Sequence, residues 1–445
     1  MSKIIGLLAC LTVLTFSFGA SGAKLSPEDL EKKKEGWYPT GLPLINFTTD
    51  AGLGYGLRLY GYNNGLPDDP HYDESPYFMR LYGQFFQTTG GQSYHRVDLD
   101  MPYLIGSEYR LKAVLEYVAV LNANYFGDTA ADADRGLGVG GTYFNDWGSY
   151  LDYVTPGSSE VSTAATSLRM FNNYQRRKFY GLLKVSRPFF DLIEVEAGLE
   201  FGYVAITDWH DKTGTYGDVE ETFAETRLTL AAQSDDFIGY DGGWVNVLHF
   251  GLRIDERDFE PNPKTGYLAE YNLDISGKFL GSNYDFVRQT FSVRGFHTFW
   301  DRLTLAGRLA MTYASGDVPF FELGKMNFTN GTATAMGGSR TNRGYLEERF
   351  LARGYTLAQF DVRYFVGEVV VWGQRFGLQP FAFIDVGNVY DTFGDIFAKP
   401  RFGEYRPSYG GGFVVPWNLT TIVHCFAGFS SEGIMTLSMN FEHAF

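Results

Sequence analysis

The chain has 445 residues, with 37 Lys and Arg against 52 Asp and Glu, and its formal net charge is −15 at pH 7. That acidic balance argues against a nucleic-acid-binding protein. Aromatic residues make up 17% of the chain, with 30 Tyr and 39 Phe, and Gly is abundant at 53. Beyond the N-terminus no stretch approaches the ~18 apolar residues of a spanning helix, so a helical membrane protein is excluded and a membrane β-barrel is favoured.

The first 23 residues have the pattern of a secretory signal peptide. Lys3 supplies a positive start, 4–18 is mostly apolar, and 19–23 supplies small residues for cleavage, which we predict after Ala23. Lipidation of Cys10 is a weaker alternative because the apolar run continues past it. Without this segment Cys425 is the only cysteine, so no intrachain disulfide is expected.

Residues 24–40 are predicted to form a short periplasmic N-terminal segment, and 41–445 the barrel. Within that segment 28–35 are highly charged. We favour a solvated tail there, with a short periplasmic helix as the alternative.

Strict alternation of apolar and polar residues is the main structural signal. From Ile193 to Tyr203 every second residue is apolar, and Glu194, Glu196 and Glu200 lie between them. Such alternation predicts strands with one apolar face and one polar face. A soluble β-sandwich alternates too, but runs of ten or more residues fit strands that cross a bilayer at a tilt.

Taken in chain order, the pattern predicts sixteen strands, and 222–234 is a strand extension or a hairpin within a loop. Short turns are expected at Pro102, Pro188, 261–263, 300–301 and 416–418, and long connections at 122–167, 209–242 and 316–354. The predicted fold is all-β: a sixteen-stranded antiparallel transmembrane β-barrel of the bacterial outer membrane, with both termini periplasmic. The predicted strands are 41–49, 53–63, 75–88, 92–102, 107–121, 168–187, 191–208, 243–258, 265–277, 283–297, 302–315, 355–366, 376–388, 403–415, 419–429 and 434–445.

Four motifs, mostly in the second half, resemble a known family. A strand–turn–strand stretch carries Arg253, Asp255, Arg257, Gly266 and Tyr267. A Gly-rich loop from 337 reaches Arg343-Gly344-Tyr345, and Phe383-Ile-Asp385-Val-Gly387 follows. The last strand ends at Phe445. In this order and spacing the motifs resemble the BamA/TamA outer-membrane assembly superfamily, the bacterial surface antigen barrels.

The resemblance implies that the loop carrying Arg343 folds into the lumen. There Arg343 would meet Asp385, with Asp361 as a second carboxylate, because a buried guanidinium needs partners. Gly344 and Gly387 would leave room for close approach. Phe445 would end a targeting strand read by the assembly machinery. Without the resemblance, an Arg343 exposed on a surface loop is the alternative.

Family members that fold or secrete proteins carry periplasmic POTRA domains, and the 17 residues from Lys24 to Thr40 are too few for one. The expectation is a member without POTRA domains that serves outer-membrane protein assembly or translocation. The alternative is a channel or structural barrel for ions or small solutes. Outer-membrane lipids and lipopolysaccharide are expected partners, and a periplasmic or outer-membrane partner protein is left open.

The residues do not suggest an enzyme. The seven histidines lack metal-ligand spacing, and neither a nucleophile elbow nor a phosphate-binding loop occurs. Paired carboxylates such as Asp98 and Asp100 fit a solvated lumen lining better than acid–base catalysis. We therefore expect no enzymatic activity, cofactor or metal, and rank a barrel-anchored enzyme third.

Overall fold

The computed structural model describes residues 25, 30–31, 33–49, 51–155, 166–189, 193–328, 331–398, 404–418, 421–440 and 443–445. The predicted signal peptide and its cleavage site lie outside the described residues. No helix among those described is long and apolar enough to cross a membrane.

Sixteen antiparallel strands close into a barrel, as the alternation predicted. Each pairs with its neighbours along the chain because neighbouring strands are joined as hairpins. The strands are β1 (Trp37–Thr48), β2 (Gly52–Asn63), β3 (Met79–Thr88), β4 (Gln92–Met101), β5 (Arg110–Asn124), β8 (Asn173–Phe189), β9 (Ile193–Asp208), β12 (Gly243–Asp255), β13 (Gly266–Ser276), β14 (Phe286–Phe299), β15 (Leu303–Gly316), β18 (Gly354–Tyr364), β20 (Gln374–Tyr390), β21 (Arg406–Trp417), β22 (Thr421–Ser430) and β23 (Met435–Asn440).

The remaining elements are short and lie in the connections. β19 (Gly367–Val371) pairs only with β20 in the described part of the chain. The described parts of the long loops hold small hairpins and short helices: β6 (Leu137–Val139) with β7 (Thr142–Phe144), β10 (Thr213–Tyr216) with β11 (Val219–Thr222), β16 (Met326–Phe328) with β17 (Gly331–Ala333), α1 (Ala130–Asp134), α2 (Trp147–Val154) and α3 (Arg227–Ala231), while α4 (Asp395–Ala398) follows β20.

Several predicted boundaries were wrong, mostly at turns. The last strand ends at Asn440 rather than Phe445, and Pro188 lies within β8 rather than in the turn that follows. The stretch 222–234 is not a strand extension, because it contains the end of β11 and the helix α3. Its residues alternate, but a helix N-cap decides the local structure. The Thr226 side chain accepts a hydrogen bond from the Thr229 N–H, and α3 begins at the next residue after Thr226.

The two faces of the wall follow the predicted alternation. On β9, Val195, Leu199 and Phe201 face outward and are exposed, whereas Glu196 and Glu200 face the lumen and are buried. The lumenal carboxylates are mostly paired with cations across the sheet, as in Lys184–Glu196 at 2.7 Å. An apolar outside with ion pairs inside is the distribution that a lipid-embedded barrel requires.

The three longest connections gather at one rim of the barrel, together with tight turns such as 89–91, and the other rim holds mostly shorter connections. The described residues of 125–155, 166–172, 209–242, 317–328 and 331–353 belong to the long-loop rim. The short-turn rim holds 102–109, 256–265, 300–302 and the start of β1. Near that start, Lys33 donates hydrogen bonds to the carbonyl oxygens of Tyr72 and Ser75 at 2.6 and 2.9 Å, so the described part of the charged N-terminal segment packs on the β2–β3 connection.

Candidate functional site

The loop between β15 and β18, residues 317–353, folds into the lumen, and we call it the plug loop. Its apolar side chains pack in a buried cluster against the inner wall, where Met326, Met336 and Phe350 meet Tyr355 of β18 and Val389 of β20. Pairing inside the loop adds β16 with β17. The plug loop therefore has an apolar core shared with the wall, which holds its tip at a defined place.

Arg343 lies at the tip of the plug loop and bonds Asp385 of β20. The Asp385 carboxylate accepts hydrogen bonds from the Arg343 backbone N–H at 3.0 Å, from Nε at 2.8 Å and from Nη2 at 2.7 Å. Both side chains are fully buried. Because the bond from the backbone adds to a two-pronged bond from the guanidinium, Asp385 fixes the chain direction at the tip as well as the side chain.

A second carboxylate completes this group, which we call the tip cluster: Arg343, Asp361, Arg363 and Asp385. Arg343 Nη2 also donates to Asp361 at 2.7 Å, and Arg363 donates to the other oxygen of Asp361 at 2.9 Å. Two guanidinium groups thus face two carboxylates. The ring of Phe383 lies 3.8 Å from the Arg343 guanidinium, as in a cation–π contact. Charge balance with close bonds makes burial of the cluster tolerable.

The backbone after Arg343 presses against the last strands of the barrel. A Cβ on Gly344 would lie 2.3 Å from the carbonyl oxygen of Phe429 on β22, so only glycine fits this approach. The carbonyl oxygen of Arg343 accepts a hydrogen bond from Thr436 of β23 at 2.5 Å. The Tyr345 hydroxyl donates to the Pro407 carbonyl at 3.3 Å. The tip therefore joins β18 and β20 to the final strands.

Gly387 makes room for the plug loop from the wall side. A Cβ there would lie 2.3 Å from the sulfur of Met336. The space above Gly387 in the lumen is thus occupied by the side chain of Met336 from the plug loop.

The strand–turn–strand motif lies apart from the tip cluster, at the short-turn rim. Arg253 is buried and paired with Glu194 of β9, and Arg257 makes a two-pronged bond to Asp255 at 2.8 and 2.7 Å. Gly266 has φ +98°, and a Cβ there would lie 2.0 Å from the Glu256 carbonyl oxygen. The carbonyl oxygen of Tyr267 accepts a hydrogen bond from the Glu256 N–H at 2.9 Å. These residues shape the β12–β13 turn rather than a ligand site.

The base of the plug loop is bound by a second buried group, the stem cluster: Glu322, Lys325 and Asn327 of the loop with Glu200, His249, Asp274 and Arg288 of the wall. Lys325 Nζ lies 3.2 Å from Glu200, and Arg288 Nη2 lies 2.8 Å from Glu322. The imidazole of His249 lies between Asp274 and Glu200, at 2.5 and 3.0 Å. The plug loop is therefore fixed electrostatically at two places.

Phe445 ends inside the lumen, not on the lipid-facing surface. It is buried, packs with Phe296 and Ala306, and its ring centre lies 5.4 Å from the guanidinium of Arg308 and 5.6 Å from that of Arg363. β23 ends at Asn440, and the described residues 443–445 belong to no strand. Leu437 and Met439 remain partly exposed on the wall.

Barrel closure between the first and last strands is minimal in the described part of the chain. All 12 residues of β1 pair with β2, but β1 meets β23 at one residue pair, Thr48 with Ser438. The Leu437 N–H also donates to the Thr49 hydroxyl at 3.0 Å. In the ladder, the edge of β1 from Trp37 to Phe47 pairs with no described residue of β23.

A family model described as "Omp85 superfamily domain" matches residues 137–427, and a "Domain of unknown function (DUF5982)" matches residues 15–78. The first match spans more than half of the chain. The chain belongs to the Omp85 superfamily. Comparison with curated proteins gives no match.

Solved structures share the fold of this Omp85 barrel. BamA from Haemophilus ducreyi lacking POTRA domains 1–3 has a TM-score of 0.50 and 12% identity, over 92% of this chain and 70% of that one. CdiB from Escherichia coli also has a TM-score of 0.50, with 8% identity over 93% and 68%. At such low identity the likeness concerns the fold alone.

Sequence reasoning named Arg343, Asp361 and Asp385 of the tip cluster but not Arg363, and it missed the stem cluster of this Omp85 barrel. The sequence places Glu200 only on a polar face and His249 only in a scattered set of histidines. The signal is faint, because alternation puts a side chain in the lumen without telling which loop reaches it. Among described residues, no group of three or more His, Cys, Asp or Glu side chains is placed to hold a metal.

Proposed function

We propose that this Omp85 barrel assembles or translocates proteins at the outer membrane by opening sideways between β1 and β23. The observation that carries the proposal is the closure, among the described residues, by a single residue pair, Thr48 with Ser438. A ladder of one pair has few hydrogen bonds to break, whereas every other neighbouring pair of barrel strands is joined by a much longer ladder in the described chain. The proposed action involves no enzymatic chemistry.

The edge of β1 that pairs with no described residue of β23 supplies the chemistry for receiving a client strand. An exposed edge carries free N–H and C=O groups in a row, which is a template for another extended segment. Because β1 stays fully paired with β2, it can accept a strand on its other side without losing its own place. The expected client is therefore a strand-forming outer-membrane or secreted protein.

The plug loop holds the closed state in this proposal. Arg343 bonds β18 and β20, while its carbonyl oxygen and Gly344 touch β22 and β23. The tip thus braces the last strands against the neighbouring wall. Releasing the tip would free β23 to swing away from β1.

The proposed topology follows the lengths of the connections. Long loops of outer-membrane barrels face outside and short turns face the periplasm. The start of β1 and the end of β23 lie at the short-turn rim. Both termini of the barrel are then periplasmic, residues 1–23 are a signal peptide, and outer-membrane phospholipid and lipopolysaccharide surround the wall. A separate partner protein in the periplasm or outer membrane would supply client delivery.

A channel is the second candidate, favoured by the lumen itself. A cavity of about 1560 Å³ reaches from the short turns at Pro102 and Asn418 to Phe320 and Arg340 of the plug loop. Its wall carries both signs of charge. The plug loop closes it toward the long-loop rim, however, so steady conduction requires that the loop move.

A reversible lock across the seam tests the proposal. In a Cys425→Ala background, Thr48→Cys with Ser438→Cys should form a disulfide, and the locked barrel should fail to restore outer-membrane and secreted proteins in a deletion strain. A reductant should restore them. Quantitative mass spectrometry of the outer-membrane fraction and of the secreted fraction measures the amounts of these proteins.

The matched control is Thr40→Cys with Tyr60→Cys, which lies on the same strand but staples β1 to β2. This disulfide should leave complementation unchanged. Complementation by the seam-locked barrel at the wild-type level would exclude lateral opening. Steady ion conductance in planar bilayers that the seam lock leaves intact would favour the channel.

A further inference from the structure

The β19–β20 hairpin extends the barrel wall beyond the short-turn rim. β18 ends at Tyr364, whereas β19 and the start of β20 continue to the turn at Trp372 and Gly373. From Phe376 to Trp372 the strand adds up to ~13 Å at the usual rise per residue. Phe376 packs beside Trp417 at 5.3 Å, a pair typical of the aromatic girdle at a membrane interface. The tip therefore lies on the far side of this girdle.

The outward face of the hairpin is apolar. Leu378, like Ile384 further along β20, is exposed and faces outward. Strand pairing puts Val369 opposite Phe376 and Val371 opposite Gln374, so these valines share that outward face. Val369 is 60% exposed and Trp372 is 96% exposed. Apart from Gln374, whose amide oxygen is bonded to Trp417 and Asn418, the apolar outward surface thus continues past the girdle.

The inward face of the same hairpin carries a charged pair beside Val370, which is 68% exposed. Val370 pairs with Arg375, and Glu368 lies 3.6 Å from Arg375 in an ion pair. Glu368 and Arg375 also line the lumenal cavity. The hairpin is therefore amphipathic in the same sense as the barrel wall, with its apolar side toward lipid.

The turn at the tip uses a residue that its backbone disfavours. Trp372 has φ +49° and Gly373 has φ +72°, the left-handed pair of a tight hairpin turn in which Asn-Gly is preferred. Two other turns of this rim repeat the pattern with bulky apolar residues in left-handed backbone: Trp300 at φ +52° and Ile105 at φ +52°, exposed by 82% and 91%. Left-handed backbone disfavours bulky residues, so the backbone does not explain why Trp and Ile occupy these turns. Their side chains must supply the explanation.

We propose that the outward face of the β19–β20 hairpin, with Trp372 at its tip, inserts into the head-group layer of the phospholipid leaflet at the short-turn rim. Val369 and Val371 lie flush with the lipid-facing wall, and that continuity selects lipid as the occupant. Indole rings favour the head-group level because they combine an apolar ring with one N–H donor. The hairpin then anchors the rim at β18–β20, on the side where the plug tip also binds.

Cysteine scanning of the hairpin tests the proposal in the full-length barrel. In a Cys425→Ala background, Val369→Cys, Val370→Cys, Val371→Cys and Trp372→Cys are each labelled with an environment-sensitive fluorophore. The barrels are placed in vesicles of phosphatidylethanolamine and phosphatidylglycerol. Quenching is measured with a head-group nitroxide lipid and with aqueous iodide.

The expected result alternates along the strand. Lipid quenching at 369, 371 and 372 should exceed that at 370 by about twofold or more, because alternate side chains face opposite sides. The control is Asn418→Cys, at a neighbouring turn that lines the cavity, which should be quenched mainly by iodide.

Two results would overturn the assignment. One is equal iodide quenching at 372 and 418 with no lipid quenching at 372. The other is protection of 372 in native outer membranes but not in the vesicles, because a protein would then be the occupant.

Discussion

Arg343 and Asp385 are joined by three hydrogen bonds, one of which comes from the backbone of the plug loop. The contact links residues 42 positions apart in the chain and lies in a fully buried place. Because the guanidinium also reaches Asp361, removing either partner leaves a buried charge without its match. The plug loop and the wall are therefore energetically coupled at this one point.

Arg343→Ala should lower the free energy of unfolding by roughly 3–5 kcal/mol where water is excluded from the tip cluster. Asp385→Ala should have nearly the same effect, and the double variant should be far from additive because each change breaks the same contact. Thermal unfolding and proteolysis of the plug loop measure both. Arg343→Lys is the control for geometry, since lysine keeps the charge but loses the fork. Additive effects of the two single changes in the double variant would contradict the energetic coupling of Arg343 and Asp385.

Gly344→Ala should release the plug tip without touching any charge. The new Cβ would lie 2.3 Å from the Phe429 carbonyl oxygen, so the tip must shift, at a cost of ~1–3 kcal/mol for such overpacking. The matched control is Gly307→Ala, whose Cβ would meet its nearest atom at 3.8 Å. Limited proteolysis should show early cleavage of the plug loop in the first variant alone. Equal resistance in both variants would contradict the close approach.

Lys325→Met should loosen the base of the plug loop. It removes the ammonium group at 3.2 Å from Glu200 and 3.3 Å from Glu322 and leaves them the more distant Lys178, at 3.6 and 3.9 Å. Loss of hydrogen bonds to charged groups costs roughly 1.5–3 kcal/mol. Arg80→Met is the control, because Arg80 pairs with Asp98 within the wall. Hydrogen exchange of the plug loop should rise for Lys325→Met only. A matching rise for Arg80→Met would indicate a general loss of barrel stability.

Deleting Phe445 should lower insertion of the barrel, as the family resemblance implies. The heat-modifiable band on a gel reports folded yield. In the folded barrel this ring also packs near Arg308 and Arg363, so Phe445→Trp, which keeps an aromatic terminus, is the informative control. We expect insertion to survive Phe445→Trp. Unchanged yield after deletion would argue against a targeting role.

Raising the pH should loosen the loop 125–172 at Asp128. Burial and then the nearby charge of Asp132 raise the pKa of Asp128 from 3.8 to about 6. The folded loop holds this proton more tightly than the open loop, so its stability is full below pH 3.8 and declines as the pH rises through about 6. Burial likewise raises the pKa of Asp391, which accepts the Ala130 N–H at 2.8 Å.

Hydrogen exchange of residues 125–135, corrected for the intrinsic rate, should therefore increase between pH 4 and pH 7. Asp128→Asn should flatten this dependence because the amide has no proton to lose. Asp235→Asn, at an exposed acid of another long loop, should leave it unchanged. A flat profile in the wild-type barrel would show that proton release from Asp128 does not loosen the loop.

The alternation of apolar and polar residues along the strands could be predicted from the sequence because it is a local property. Successive side chains of a strand point to opposite faces. The sequence alone therefore predicts that Val195 and Glu196 lie on opposite faces of β9. The tip cluster was also within reach, through its motifs and the need of a buried arginine for carboxylates. The motifs contained Arg343 and Asp385, the preceding strand supplied Asp361 as a second carboxylate, and none of them gave the distances.

Tertiary structure alone decided how far the strands extend, which loop reaches which wall, and how the barrel closes. The single pair of Thr48 with Ser438 depends on the register accumulated around the whole sheet, which no local pattern encodes. The stem cluster forms because the plug loop crosses the lumen to residues as distant in sequence as Glu200. Phe445 fitted the outward parity of its strand, yet it lies inside, because β23 already ends at Asn440 and the ring packs with Phe296 and Ala306.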